Sequence, residues 1–174
     1  DLVIDKDSFF EISKMYGPSL ITGLARLNGH SVAIIANDCT FYAGAMTSDA
    51  SLKLRKFVDF VNSFNIPVLS FVDEPGFMIG PDSEQDGTIR HGTAAISSLM
   101  QSIVPWASVI VRKLYGVAGA AHFSPDSYTL SWPSAESGAL PVEGGVAIAF
   151  KKEIEEADDP EEKRKELEEL LAKR

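Results

Sequence analysis

The stretch "FNIPVLSFVDEPGF", residues 64–77, holds one short apolar run between two turn signals. Pro67 precedes the run and the dipeptide Pro75-Gly76 follows it, so residues 68–73 are predicted to form a strand. A short apolar run of this kind suits a strand that is buried in a parallel sheet. The stretch therefore favours an α/β fold with a buried sheet.

Further strands are predicted on both sides of this run. Residues 20–27 and 31–37 are predicted to pair as a hairpin around the turn dipeptide Asn28-Gly29. Two more apolar runs, over 107–113 and 127–132, are predicted to be strands later in the chain.

Helices are predicted between these strands. Apolar residues at helical spacing indicate a helix of about four turns that ends near Asn65, with Ser48 or Asp49 as its cap. A second helix is predicted over about 89–104, and a third begins within "KLYGVAGAAHF", residues 113–123. The repeated order of strand, loop and helix indicates α/β layers with short right-handed connections.

Composition narrows the class of protein. The 174 residues, 45% of them hydrophobic, are enough for one core and predict one domain. A net charge of −9 gives no electrostatic footprint for nucleic acid. Cys39 is the single cysteine, which excludes an internal disulfide and a cysteine zinc site and favours a reducing compartment.

No segment for membrane insertion or secretion is recognised. No apolar run approaches the roughly 20 residues of a membrane span, and the N-terminal stretch "DLVIDKDSFF" lacks the apolar run of a signal peptide. We expect a cytoplasmic protein, or one of the mitochondrial matrix if the source is eukaryotic. The chain begins with Asp rather than Met, so we also expect it to be a piece of a longer protein.

The last part of the chain changes in composition. Residues 151–174 are predicted to be a charged helical extension of a domain that spans residues 1–150. Asp159 is placed to cap a helix whose first residue is Pro160. An apolar stripe runs along this helix at Leu167, Leu170 and Leu171. The charges are most simply a solvated face, and a helix that docks a partner is the alternative.

Several catalytic motifs are missing. The sequence has no GxxxxGK[ST], GxGxxG or GxSxG, which excludes a phosphate loop, a dinucleotide fingerprint and a nucleophile elbow. His30, His91 and His122 are far apart and none belongs to an HExxH motif, so no metal ligand is predicted. His122 is expected to be packed or half-exposed on an apolar helix rather than catalytic.

Two loops that follow strands remain as candidates for a site. They are "DEPGFMIGPDSEQDG", residues 73–87, and "YGVAGA", residues 115–120, and ligands of open α/β sheets bind at this edge. The backbone N–H groups of Val117 and Ala118 are predicted to open a helix, where unsatisfied donors suit an oxyanion or enolate. The alternative is that the small residues of this stretch only permit close packing of helix on strand.

Four segments carry a resemblance to a known family. Residues 21–37, 53–96, 104–116 and 130–136 are similar to the C-terminal lobe of the carboxyltransferase (β) subunit of biotin-dependent acyl-CoA carboxylases. The likeness is to the propionyl-CoA carboxylase β and methylmalonyl-CoA carboxyltransferase type, and the block from "FNIPVLSFVDEPGF" to "GTIRHG" is highly specific. It implies the crotonase-like (ClpP/crotonase) α/β fold, a spiral of repeated ββα units.

The resemblance implies one half of a carboxyltransferase. An N-terminal lobe that this chain lacks would bind the acyl-CoA substrate, and this lobe would accept biotin. The biotin cofactor would arrive on a carrier protein associated with a biotin carboxylase component, and no metal is implied. Family members form homo-oligomers, including hexamers. In the family biotin itself removes the acyl α-proton, which would explain the missing triad, dyad and metal motifs.

The resemblance also assigns an oxyanion hole to the turn after "YG". The family's second oxyanion hole is a Gly-Ala pair that maps onto the backbone N–H groups of Val117 and Ala118, with Val in place of Gly. The small Gly116 and Gly119 would give a substrate carbonyl access to this main chain. Ala120 replaces an Asp that many members with small acyl substrates carry, which suggests a roomier pocket. The acyl substrate therefore stays open between propionyl-CoA and a longer acyl-CoA.

The resemblance places biotin against a second loop. Pro75, Gly76 and Phe77 match the family's "PGF" segment, which lines the biotin site. A buried loop anchor is the alternative role for Phe77. Arg90 and His91 match the family's "IRHG" helix start and are expected to orient this loop.

Three other functions stay open or are disfavoured. A biotin-dependent acyl-CoA decarboxylase would use the same residues, and a non-catalytic assembly domain would only supply packing surfaces. A ClpP-like serine protease is disfavoured because the turn "GVAGA" has no serine. We expect no acyl-CoA carboxylation by the isolated 174 residues.

Overall fold

The computed structural model describes residues 3–157 and 159–172. The chain divides into two compact units, Asp1–Glu136 and Ser137–Arg174. The domain boundary expected at residue 150 stays a prediction. Residues 1 and 2 of the predicted domain, and residues 158, 173 and 174 of the predicted extension, lie outside the described residues.

Six strands of the first unit follow one another in a sheet in the order β1-β2-β3-β4-β5-β6. Strands β1 to β3 pair antiparallel, and β3 to β6 pair parallel. The strands are β1 (Phe10–Ile12), β2 (Leu20–Leu27), β3 (His30–Asn37), β4 (Val68–Glu74), β5 (Trp106–Tyr115) and β6 (Tyr128–Ser131), and a short β7 (Glu136–Gly138) follows them. The predicted hairpin is confirmed, with positive φ angles of 50° at Asn28 and 82° at Gly29, as a tight turn requires.

Helices of the first unit lie between the parallel strands. They are α1 (Ser48–Ser63), α2 (Pro81–Gln85) and α3 (Thr88–Met100), with 3-10 helices at Tyr42–Gly44 and Val117–His122. The hydrophobic core is formed by α1, α3 and the sheet, and its fully buried members include Leu54, Val58 and Leu99. The second unit contains α4 (Val142–Ala149), α5 (Lys151–Glu155) and α6 (Pro160–Ala172).

The first two predicted helices differ from the structure at their ends. Helix α1 is capped one residue earlier than expected, because Thr47 Oγ1 accepts from Ala50 N at 3.1 Å. Helix α3 ends four residues earlier, at Met100. Asn62 Oδ1 accepts from Ser102 Oγ and Ile103 N, which draws the chain out of the helix before Pro105. Ile103 is therefore 85% exposed instead of buried in a helix.

The third predicted helix is wrong. After β5 the chain forms only the six-residue 3-10 helix Val117–His122, and Phe123 is already extended. The carbonyl of His122 accepts from Trp106 Nε1 at 2.9 Å and Ser108 Oγ at 2.6 Å, so it is tied to β5 and cannot bond a further helical turn. Pro125 follows and disfavours a helical continuation.

Strand β4 lies between β3 and β5 and is buried as predicted. Its alternate residues Val68, Ser70, Val72 and Glu74 are at most 3% exposed, and the residues between them are half-buried. Two of these four buried side chains are polar. Their polar atoms must find partners inside the protein, because buried polar groups without hydrogen bonds are costly.

The second unit starts its last helix as predicted. Asp159 Oδ1 accepts from the N–H groups of Glu161 and Glu162, both at 3.0 Å, and Pro160 is the first helical residue. Of the predicted apolar stripe, Leu167 is buried and Leu170 is 58% exposed. No helix within residues 3–157 and 159–172 is long and apolar enough to cross a membrane.

The loop after β4 is anchored to α3 by a contact between an aromatic ring and a glycine. Phe77 is half-buried against the core, and a Cβ atom built on Gly92 would lie 2.3 Å from Cε1 of Phe77. Only a residue without a side chain allows the ring to lie this close to the helix backbone.

Substitution Gly92→Ala tests this anchor. The added methyl overlaps the ring, so we expect the free energy of unfolding to fall by about 1–3 kcal/mol, as for other overpacked sites. Thr93→Ala, at the exposed neighbouring position, is the control and should change it by less than about 0.5 kcal/mol. Urea denaturation followed by circular dichroism measures both. Equal stability of the two variants would contradict the contact.

Candidate functional site

The candidate site lies at the edge of the sheet where the parallel strands β3, β4 and β5 end. The segments after β3 and β4 pair at this edge as an isolated bridge between Met46 and Phe77. Met46 N donates to Gly76 O, and Met78 N donates to Met46 O, both at 3.0 Å. Both predicted loops follow parallel strands at this edge, which is where ligands of α/β proteins bind.

The "PGF" residues occupy the first part of the loop after β4. Pro75 and Gly76 are half-buried, and Gly76 has a φ of 128°, which favours glycine. The ring of Phe77 packs on Gly92, which is the geometry of the loop anchor that the sequence left as one alternative. The role of these residues in binding biotin stays a prediction.

The turn after β5 exposes part of its backbone. Gly116 has φ 64° and ψ −164°, and the 3-10 helix starts directly after it. The N–H groups of Val117 and Ala118 have no acceptor inside such a helix, whereas Gly119 N donates to Gly116 O at 3.3 Å. Val117 is 67% exposed as a whole residue, whereas Ala118 is 0% exposed, its main chain included.

The small residues of this turn serve two purposes. A Cβ atom on Gly119 would lie 2.6 Å from Cδ1 of Leu114, so Gly119 permits close packing of the turn on β5. Ala121 is buried in the core, whereas Gly116 and Ala120 are exposed. The packing role predicted for the small residues therefore applies to Gly119 and Ala121. Gly116 and Ala120 are instead exposed beside the predicted backbone donors.

A buried polar network beneath these loops was not predicted. The side chains of Ser70, Glu74 and His122 are all 0% exposed. His122 Nδ1 lies 3.0 Å from Ser70 Oγ, and its Nε2 lies 3.3 Å from Glu74 Oε2. His122 was expected to be either packed or half-exposed, and the structure shows it packed. The signal that sequence reasoning missed was the pair of polar residues on the inward face of the β4 run.

Asn37, the last residue of β3, joins the network to the neighbouring loop. Its Nδ2 donates to Glu74 Oε2 and to Gly44 O, both at 3.0 Å. Its Oδ1 accepts from Asp73 N, also at 3.0 Å. The other carboxylate oxygen of Glu74 accepts from Gly76 N at 3.0 Å.

A second polar cluster lies on the opposite face of β4. Arg112 Nε donates to both oxygens of Asp73, at 3.1 and 3.0 Å, and Cys39 Sγ donates to Asp73 Oδ2 at 3.0 Å. Burial raises the pKa of Asp73, but donation from Arg112, Cys39 and Lys113 N outweighs it and lowers the pKa below its ordinary value. Burial and the hydrogen bond to Asp73 raise the pKa of Cys39, against the opposing effect of Arg112.

A cleft of 830 Å³ lies beside the loop after β4. Its lining includes Tyr42, Met78, Ile79 and His91, but neither Val117 nor Ala118. Arg90 Nη2 lies 3.4 Å from His91 Nε2, so these two side chains contact each other at the start of α3. Their role in orienting the loop stays a prediction. Within residues 3–157 and 159–172, no three His, Cys, Asp or Glu side chains form a group that could hold a metal ion.

Comparison with known structures gives the class of this fold. The chain superimposes on the crystal structure of the transcarboxylase 12S hexamer with a TM-score of 0.87 and 37% identity, covering 97% of this chain and 33% of that one. The fold is therefore crotonase-like, as expected from the sequence.

Comparison of sequences gives the family. Residues 1–174 match the carboxyl transferase domain, and the chain belongs to this family. It is 42% identical over 169 residues to the carboxyltransferase subunit of propionyl-CoA carboxylase from Haloferax mediterranei, covering 95% of this chain and 33% of that protein. It is 38% identical over 161 residues to methylmalonyl-CoA decarboxylase subunit alpha from Propionigenium modestum, covering 91% of this chain and 31% of that protein. The chain spans about a third of the length of these relatives.

The cluster of Cys39, Asp73 and Arg112 makes a prediction about thiol reactivity. In Asp73→Asn the thiol loses a carboxylate that disfavours the thiolate and keeps Arg112, which favours it. The pH midpoint of Cys39 alkylation by iodoacetamide should therefore move to lower pH than in the wild type. Asp38→Asn is the control, since Asp38 binds Thr40 and should leave the midpoint in place. Equal midpoints for all three proteins would contradict the cluster.

Proposed function

We propose that this chain is the biotin-accepting lobe of an acyl-CoA carboxyltransferase. It would act together with an N-terminal lobe that binds the acyl-CoA and with a biotin carrier protein charged by a biotin carboxylase component. The observation that carries the proposal is the exposed turn after β5, which leaves the N–H groups of Val117 and Ala118 without a helical acceptor in a member of the carboxyl transferase family.

The residues present fit a biotin ureido group. Gly116 and Ala120 are exposed and small, so they leave room for a carbonyl oxygen beside the exposed Val117. Ala118 is 0% exposed, so a small shift of the turn would have to open its N–H group to the ureido oxygen. Two adjacent N–H donors are the usual partners of an oxygen that gains negative charge. Val117 keeps its N–H group although its side chain narrows the approach. The short 3-10 helix contributes little dipole, so the donors themselves would supply the stabilisation.

The chain would contribute position and electrostatics rather than a catalytic base. When bound, biotin would supply the carboxyl group and the base for the acyl α-proton. The N–H groups of Val117 and Ala118 would hold the ureido oxygen as its charge grows. Each such donor is worth about 3–4 kcal/mol of transition-state stabilisation in enzymes where one has been removed.

The acyl substrate and the assembly follow from the same proposal. Ala120 is exposed on the turn, and its small side chain would leave room for an acyl group longer than propionyl. A homo-oligomer is proposed by analogy, since the transcarboxylase 12S relative is described as a hexamer. A decarboxylase lobe is the second candidate, favoured by the similarity to methylmalonyl-CoA decarboxylase subunit alpha.

A biotin titration followed by NMR tests the proposed site. At millimolar biotin, the amide signals of residues 75–81 and 116–121 should shift in the wild type. In Ala118→Pro, which removes one N–H donor, the shifts of residues 116–121 should be lost. Asp126→Ala, an exposed substitution in the following loop, is the folded control and should shift like the wild type.

The biotin analogue with an imino group in place of the ureido oxygen distinguishes binding through that oxygen from nonspecific binding through the rest of the molecule. Because it lacks the accepting oxygen, it should bind more weakly than biotin to the wild type and equally weakly to Ala118→Pro. Equal shifts with biotin and the imino analogue, or with wild type and Ala118→Pro, would contradict a backbone oxyanion site.

A further inference from the structure

We propose that Glu74 and His122 are positioning residues, which couple the loop 75–81 to the turn 117–122. The inference rests on the proposed function, because the two segments it couples are the ones assigned there to biotin. Neither side chain can touch a substrate, since both are 0% exposed. Their effect must pass through the backbone groups that they hold.

One carboxylate links the segments that follow β3, β4 and β5 at this edge. Glu74 Oε1 accepts from Gly76 N, at the start of the loop after β4. Glu74 Oε2 accepts from Asn37 Nδ2, which also donates to Gly44 O in the loop after β3. The same Oε2 atom lies 3.3 Å from His122 Nε2, at the end of the turn after β5.

The end of the turn is fixed by both the ring and the backbone of His122. The ring lies between Glu74 and Ser70, while its carbonyl accepts from Trp106 Nε1 and Ser108 Oγ. With the proton on Nε2, the ring donates to Glu74 and accepts from the Ser70 hydroxyl, so every polar atom is paired. This tautomer is assigned from the hydrogen-bond partners.

Because Glu74 is buried, the network favours one placement of the loop 75–81 relative to the turn 117–122. A carboxylate without water needs its protein donors, and losing one leaves a buried charge less satisfied. Movement of the loop 75–81 or of the turn 117–122 would remove such a donor. The network therefore favours one relative placement of the two segments over alternatives that are otherwise similar in packing.

Serine, histidine and glutamate in hydrogen-bond order also resemble a hydrolase triad. All three side chains are 0% exposed, so no scissile carbonyl can reach Ser70 Oγ. The geometry thus supports positioning and excludes hydrolysis at this serine.

Two substitutions of His122 separate its two hydrogen bonds. In His122→Gln the amide nitrogen can take the place of Nε2 and donate to Glu74, whereas in His122→Asn the shorter amide takes the place of Nδ1 and reaches only Ser70. We expect hydrogen exchange at the amides of Gly76 and Gly119 to speed up by roughly tenfold in His122→Asn and to stay near the wild-type rate in His122→Gln. Glu74→Gln keeps the acceptor for Gly76 N but loses the charge. In this variant, hydrogen exchange should speed up more at the Gly119 amide than at the Gly76 amide.

The control must separate local coupling from lost stability. Val61→Ala removes buried methyl groups from α1, away from the network, and lowers global stability. Compared at the same free energy of unfolding as His122→Asn, Val61→Ala should speed up hydrogen exchange at core amides in general. It should have no preferential effect on the amides of Gly76 and Gly119. Equal rates in His122→Asn and His122→Gln, or a preferential effect in Val61→Ala, would overturn the coupling.

A biotin titration of the same variants distinguishes failure of the proposed coupling from failure of the proposed biotin-binding function. Weaker binding in His122→Asn with recovery in His122→Gln supports positioning of the biotin site. Exchange that differs between the two His122 variants, in a protein whose wild type does not bind biotin, supports the coupling and counts against the proposed function alone. Equal biotin affinity in all His122 variants, with binding in the wild type, overturns the positioning role.

Discussion

A buried carboxylate at the end of a central strand constrains the whole candidate site. Glu74 is fully buried, and three N–H groups from three different segments surround its two oxygens. Because such a charge tolerates few rearrangements, the loops after β3, β4 and β5 adopt one mutual arrangement. The loops carry the small residues and exposed backbone, and the network beneath them determines where that backbone lies.

The turn after β5 reconciles two uses of small residues. Gly119 and Ala121 allow the turn to pack on β5 and the core, while Gly116, Val117 and Ala120 are exposed and Ala118 is 0% exposed. Close packing and an open backbone are therefore features of neighbouring residues in one segment. The proposed oxyanion site would act through these backbone groups rather than through a catalytic side chain.

The sequence predicted most strands and the first helix because these depend on local patterns. The run 68–73, the Asn28-Gly29 hairpin and the apolar spacing around Leu54 each determine their own element. The third helix could not be predicted correctly, since it is cut short by side chains of β5 that bind the carbonyl of His122. The Glu74–His122 pair was missed for the same reason, because it joins residues 48 positions apart.

A crystal structure of the chain with bound biotin is the most direct test of the backbone oxyanion site. We expect the ureido oxygen to lie within about 2.7–3.2 Å of the backbone nitrogens of Val117 and Ala118, the range of an N–H···O hydrogen bond. We also expect the Glu74–His122 contact to persist in the complex. Biotin seated elsewhere, or held at its ureido oxygen by side chains with the backbone of residues 117 and 118 turned away, would contradict this site.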